Sequence, residues 1–337
     1  MQSGYERVRR AIEFDGPDRV PYNFDENRTP LTQLYGDDFI WGFVDPAPDF
    51  APSDPGENEL GVISETLDER VFGIPKVHPL DDWSKFDDYR LPDYTLPSRY
   101  VNMERHIANN PGKYVLGMFP HFLFQVLPDL LGFENFMLSV YLEREKLEAL
   151  VDMLADSAIV VLHEMANRGV HGIIAIDDMG LQDRLMISPK DWRALIKPRY
   201  ARVIEEAHAL GVHIFSHICG YIPDIIGDLI DVGLDVLQID QQDNMGIDML
   251  ADRFGGQICF FCPVDIQTTL PISDNLPAIE AKVKHLIRSF GVYNGGFMAK
   301  TYPQTESIRI PEENTAYMCE IFKKYGQYPL DISALSE

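Results

Sequence analysis

The chain has 337 residues, 45% hydrophobic and 24% charged, ample apolar material for one large globular domain or two ordinary ones. Lys and Arg number 29 against 53 Asp and Glu, a formal net charge of -24. Such a field repels phosphate backbones and anionic lipid headgroups, which sets nucleic acid and membrane surfaces aside as partners. The opening MQSGYERVRRAIEF has no apolar stretch before a cleavage site, and no segment approaches the roughly 20 apolar residues of a membrane span. The 4 cysteines, two of them in ICFFC, do not form a disulfide framework. A cytoplasmic protein is the expectation.

In chain order, short apolar runs predict strands at 20–24 (VPYNF), 114–119 (YVLGMF), 172–177 (GIIAID), 212–217 (VHIFSH), 236–240 (VLQID), 258–262 (ICFFC) and 295–300 (GGFMAK). An eighth is not evident. The Pro-rich, acidic stretch from Asp45 to Glu59 reads as surface, within an insertion around 45–105 in a single domain spanning 1–337. Helices have readable ends. Ser188 as N-cap, Pro189 at the first position and Asp191 at the third start one that runs to about Leu210 and stops at Gly211. Others run from Ala278 to Phe290, stopped by Gly291, and from Pro311 to Tyr325, stopped by Gly326. Strands alternating with helices predict an α/β fold, a (β/α)8 TIM barrel.

In such a barrel the chemistry gathers after the carboxyl ends of the strands. The run ends here carry Asp177 and Asp178, His217 and Cys219, Gln238 and Asp240, Cys262 and Asp265, then Lys300 and Tyr302. The run starts are Val, Tyr, Gly and Ile, so polar and ligand-type residues collect mainly at the other end, as in an enzyme.

His217 and Cys219 are two apart and project to one side, with Cα atoms roughly 6 to 7 Å apart. They read either as a hydrogen-bonded core pair or as ligands of one metal ion. Parity groups Cys262 with Phe260 and Ile258, opposite Cys259. Cys262 is therefore expected to look into the barrel mouth and Cys259 to be a wall residue. An imidazole with one or two thiolates suits zinc, with a position left open for water or substrate. Asp177 and Asp178 read as a solvated turn, or as orienting a substrate or ligand. His213, at the opposite strand end, is structural, and Cys319 in AYMCEIF is core.

ERVRRAIEFDGPDRVPYNF, IIAIDDMGLQDRLMISPKDWRALIKPRY, HIFSHICGYIPDIIGDLIDVGLDVLQID and DRFGGQICFFCPVDIQTTLP together resemble the uroporphyrinogen decarboxylase superfamily. Within it the chain looks like the branch of methylcobalamin:coenzyme M methyltransferases and related corrinoid-dependent methyltransferases. The resemblance implies a (β/α)8 barrel with a deep cleft at the carboxyl ends of its strands. The decarboxylases use no metal and carry an Arg-Gln-Ala-Gly-Arg stretch that grips substrate carboxylates; here YNFDENRTP offers Arg28 alone, beside two acids.

In the methyltransferase branch a His-x-Cys pair binds zinc, matching His217 and Cys219, and a cysteine after the last strand completes the set. This chain departs there: GGFMAK is followed by Thr301, Tyr302 and Pro303. Cys262 is the favoured replacement. The alternatives are a carboxylate, Asp178 or Asp240, or no zinc. The resemblance implies methyl transfer between a small substrate and a cobamide. That cobamide would belong to a separate corrinoid protein, since no Asp-x-His-x-x-Gly cobalt-ligating stretch is present. Asp178 and Asp240 are the expected catalytic residues, and Gln267, Lys300 and Tyr302 the expected substrate contacts. A metal-free decarboxylase and a non-catalytic barrel that binds a small molecule are the rival readings.

Overall fold

In the computed structural model, which describes residues 1–24, 35–65, 73–272, 274–303 and 305–336, the predicted runs become neighbours in one parallel sheet. Its strands are β1 (Tyr22–Asn23), β2 (Phe39–Gly42), β5 (Tyr114–Met118), β6 (Gly172–Ile176), β7 (His213–His217), β8 (Val236–Gln238), β9 (Cys259–Cys262) and β10 (Phe297–Lys300). They run in the order β1-β10-β9-β8-β7-β6-β5-β2. The two ends of that order meet through an Asn23–Asp37 bridge and the Asp38 N–H donated to Tyr22 O at 2.9 Å. The result is a nearly closed eight-stranded barrel with helices between the strands.

The eighth strand is β2, the segment FIWG, which pairs with β5 from Phe39 opposite Tyr114 to Gly42 opposite Gly117. It is short, and the Pro-rich stretch follows it closely. β3 (Ile63–Glu65) and β4 (Ile74–Val77) form a separate antiparallel pair within the 45–105 region. Arg99, buried, fastens that region by donating to Glu59 at 2.7 Å and to Asp45 O at 3.0 Å.

The predicted helix from Pro189 to Leu210 is two helices, Pro189–Leu195 and Lys197–Ala209. Pro198 has no N–H to give the preceding turn and its ring disfavours helical backbone before it, so the chain breaks at Ile196 and restarts with proline in the first turn. The other two helices appear as Leu276–Phe290 and Glu312–Tyr325.

Register decides what faces the barrel interior. Phe39, Tyr114, Leu116, Ile174, Phe215, Val236, Cys259, Phe261 and Met298 pack there as one cluster. Val8, Ala11 and Ile12, from the helix Gly4–Ile12, join them and plug the end where the strands begin. The opposite strand faces, with Phe260 and Cys262, pack outward in the larger core shared with the helices. The expectation that Cys262 looks into the mouth is therefore corrected, and Cys259 lies inside the barrel. Parity correctly grouped Cys262 with Phe260; an all-apolar strand carries no mark of which group turns inward.

Candidate metal centre

The inward rows continue past the apolar cluster to the ends of the strands. Ile176 leads to Asp178, Phe215 to His217, Val236 to Gln238 and Asp240, and Met298 to Lys300, each by steps of two. A parallel barrel thus delivers these side chains to one mouth.

The loops after β6 and β7 meet there backbone to backbone. Gly220 has φ +84°, and a Cβ on it would lie 2.3 Å from the carbonyl carbon of Gly180. A Cβ on Gly180 would in turn lie 2.7 Å from Cys219 O. Only two glycines allow the approach. It is tied by Gly180 N–H donating to Cys219 O at 3.1 Å and Tyr221 N–H to Leu181 O at 2.7 Å.

The crossing brings Asp178 to the His217–Cys219 pair. Asp178 Oδ1 accepts from Cys219 N–H at 2.7 Å and stands 3.5 Å from His217 Nε2. Cys219 Sγ is 3.3 Å from the same nitrogen. One ligand-type atom from each of the three residues lies within 4.8 Å of the others, the one such group among the described residues. Cys262 is not in it. Burial, reinforced by Asp178 and Asp240, pushes the Cys219 thiol up.

On the other side of the imidazole, His217 Nδ1 is hydrogen-bonded to Gln238 Oε1. Gln238 Nε2 donates to Asp240 Oδ1 at 2.6 Å, and Lys300 Nζ reaches the same oxygen at 3.4 Å. Lys300 lies 6.0 Å from the centre of the Tyr302 ring. Asp240, Lys300 and Tyr302 therefore gather with the histidine, as their strand-end positions suggested. Gln267 does not. It is exposed, in a turn where Asp265 Oδ1 accepts its backbone N–H at 2.8 Å.

Asp177 corrects the solvated-turn reading. It is fully buried on the outward face and accepts from Phe124 N–H at 2.7 Å, Gln125 N–H at 2.8 Å and Tyr200 Oη–H at 2.7 Å. Burial outweighs these donors and raises its carboxyl to about 7. Gln125 Oε1 then accepts from Asp178 N–H at 3.3 Å, so the loop after β5 is stitched to the aspartate at the centre. Asp177 and Gln238 were the residues whose work the sequence did not reveal, although parity with Asp240 carried the signal for Gln238 and opposite parity to Asp178 carried it for Asp177. His213 sits at the far end, its Nδ1 2.8 Å from Tyr114 Oη, and Cys319 is buried. Arg28 lies outside the described residues.

Nitrogen, sulfur and oxygen donors converging at a strand-end mouth form a mixed set that suits zinc. The two acids beside the thiol make a niche that a dication would neutralise. Fold and site together define a (β/α)8 barrel with a candidate metal centre at its carboxyl-terminal mouth. Residues 77–325 match the model for Uroporphyrinogen decarboxylase (URO-D), and the chain belongs to that family. A methyltransferase from Methanosarcina mazei superposes with a TM-score of 0.72 at 16% identity, over 96% of this chain and 99% of that one. D-psicose 3-epimerase from Clostridium cellulolyticum H10 is a more remote likeness, TM-score 0.41 at 12% identity over 68% of this chain and 83% of its own. No curated protein shows a significant sequence match. Among the described residues, no helix is long and apolar enough to cross a membrane.

Proposed function

We propose that the chain is a methyltransferase that moves a methyl group between a small substrate and a cobamide carried by a separate corrinoid protein, with zinc at the mouth. The observation that carries this reading is the convergence of Asp178, His217 and Cys219 within 4.8 Å at the active end of the barrel. The shared fold with the Methanosarcina mazei methyltransferase supports it.

His217, Cys219 and the Asp178 carboxylate would hold the metal, a His-Cys-carboxylate set in place of the second thiolate expected from Cys262. Bound zinc supplies a Lewis acid that keeps a thiol ionised or draws charge from the atom that bears the methyl group. The protein's own residues do the rest. The Gly180–Gly220 crossing fixes the spacing of Asp178 and Cys219, and Asp177 clamps the β5 loop behind them. Lys300 and Tyr302 flank the opening, where a buried ammonium paired with Asp240 can orient an anionic or polar substrate. The methyl group passes as a cation equivalent, leaving its old bonding pair on the donor atom.

Metal analysis tests the reading first. Purified protein is expected to hold about one zinc per chain, and less than about a tenth of an equivalent after zinc addition overturns the mechanism and returns the metal-free decarboxylase to first place. Spectral interconversion of methylcobalamin and cob(I)alamin in the presence of thiols or methyl ethers then identifies the reaction and its direction.

A further inference from the structure

The geometry assigns Gln238 as the residue that sets the tautomer of His217, holding the proton on Nδ1 and leaving the Nε2 lone pair toward Cys219 and Asp178. As a statement about a metal ligand it rests on the zinc reading above. An imidazole binds metal through its bare nitrogen, and the hydrogen bond made by the other nitrogen settles which one is bare.

His217 has an acceptor on each side. At Nδ1 stands Gln238 Oε1, in hydrogen-bond contact. At Nε2 stands Asp178 Oδ1, at 3.5 Å, the outer limit of a hydrogen bond. Cys219 Sγ, 3.3 Å from Nε2, carries an S–H that can donate to a bare nitrogen. The contacts favour a proton on Nδ1 only if Gln238 presents its oxygen rather than its NH2, which the shape of an amide does not decide.

Its next neighbour decides it. Gln238 makes a 2.6 Å contact with Asp240 Oδ1, and a carboxylate in an ion pair with Lys300 can only accept. Turning the amide over would set two oxygens against each other in a site where Gln238, Asp240 and Lys300 are each at most 3% exposed. The polarity of every link follows from the one before: the ammonium donates to the carboxylate, the amide donates to the carboxylate, the imidazole donates to the amide. Strand register places the parts. His217 and Gln238 are direct partners in the β7–β8 ladder, so their side chains stand side by side on the inner face, with Asp240 one step of two further on. Gln238 is thus a positioning residue that acts through His217.

Nitrogen-15 NMR of the imidazoles in the metal-free protein tests this directly, with the His217 signals assigned by their absence in His217→Gln. The wild type is expected to show the Nδ1–H form, the less common tautomer of a neutral histidine in water. Gln238→Met, close in length but without an acceptor, is expected to shift His217 to Nε2–H. Gln238→Glu, protonated on the oxygen that replaces the amide nitrogen so that it still donates to Asp240 Oδ1, keeps its other oxygen toward Nδ1 and is expected to retain a proton there. Cobalt(II) titration gives the second readout: affinity falls roughly 10- to 100-fold in Gln238→Met and recovers in Gln238→Glu. An Nε2–H His217 in the wild type, or an unchanged tautomer in Gln238→Met, overturns the assignment. Wild-type protein that takes up neither cobalt nor zinc overturns the metal reading instead, while the tautomer in metal-free protein still decides the role of Gln238.

Discussion

Replacing Gly220 by alanine tests whether the crossing of the β6 and β7 loops builds the centre. Two penalties fall on this position. Its φ of +84° is left-handed backbone that costs an L-residue about 1 to 2 kcal/mol. The added Cβ also lies 2.3 Å from the Gly180 carbonyl carbon, whereas ordinary contact begins at 3.4 Å, so the loops must part by about 1.1 Å. Backbone against backbone cannot relax by a rotamer change, and overpacking of this kind costs about 1 to 3 kcal/mol more. Gly211 separates the two effects, because it has φ +72° and nothing within 4 Å of its ideal Cβ. Urea unfolding should show Gly211→Ala losing only the backbone penalty, about 1 to 2 kcal/mol, and Gly220→Ala about 2 to 5. The displacement also stretches the 2.7 Å bond from Cys219 N–H to Asp178, so metal affinity should fall in Gly220→Ala and hold in Gly211→Ala. Equal stability losses in the two variants, or wild-type metal binding by Gly220→Ala, would refute the reasoning.

Three further outcomes are expected. Cys219→Ser should abolish metal uptake while Cys262→Ser leaves it intact, at a cost of about 1 to 3 kcal/mol for a hydroxyl in the apolar layer outside the barrel; metal lost from Cys262→Ser would put that thiol back at the centre. Asp177→Ala should destabilise by about 2 to 4 kcal/mol, since the N–H groups of Phe124 and Gln125 and the Tyr200 hydroxyl lose their acceptor. Faster amide exchange in the β5 loop would show it, and unchanged protection there would count against the clamp. Burial raises the Asp129 carboxyl from 3.8 to about 6, against the pull of His78. A folded value above the unfolded one means stability that is present below about pH 4 and lost as pH rises through about 6. Asp129→Asn should therefore stabilise at about pH 7, by about 1 kcal/mol after discounting for partial exposure, and do little at about pH 4. An equal effect at both pH values would remove titration as its cause.

Much of the barrel was legible in the chain because each unit announces itself locally. A β-branched or aromatic run closes on a turn, and a helix follows with its own cap and stop. What failed were a short strand with a long-range cause and one helix break with a local one. β2 is a strand because β5 lies beside it, and the predicted run at 20–24 shortens to Tyr22–Asn23 because only those two residues pair with β10. The break at Ile196 was visible in principle, since Pro198 stands in the sequence, yet the capping signals at Ser188 and Gly211 spoke for one helix.

The candidate centre divides the same way. That His217 and Cys219 share a side, and that acids cluster at one end of successive strands, follows from spacing alone, because side chains alternate along a strand whatever surrounds it. Which of two alternating sets turns inward is a property of the closed sheet. An inward Cys262 with an outward Cys259, and the reverse, are equally consistent with ICFFC. Likewise, nothing local pairs Asp178 with Cys219, which are separated by a helix–turn–helix and a strand. They meet because parallel strands return every loop to the same end of the barrel and two glycines let those loops touch. Residue types and their alternation were set by the chain one unit at a time; the third donor, the Gln238 link and the burial of Asp177 depend on distances between units, which only closure of the barrel establishes.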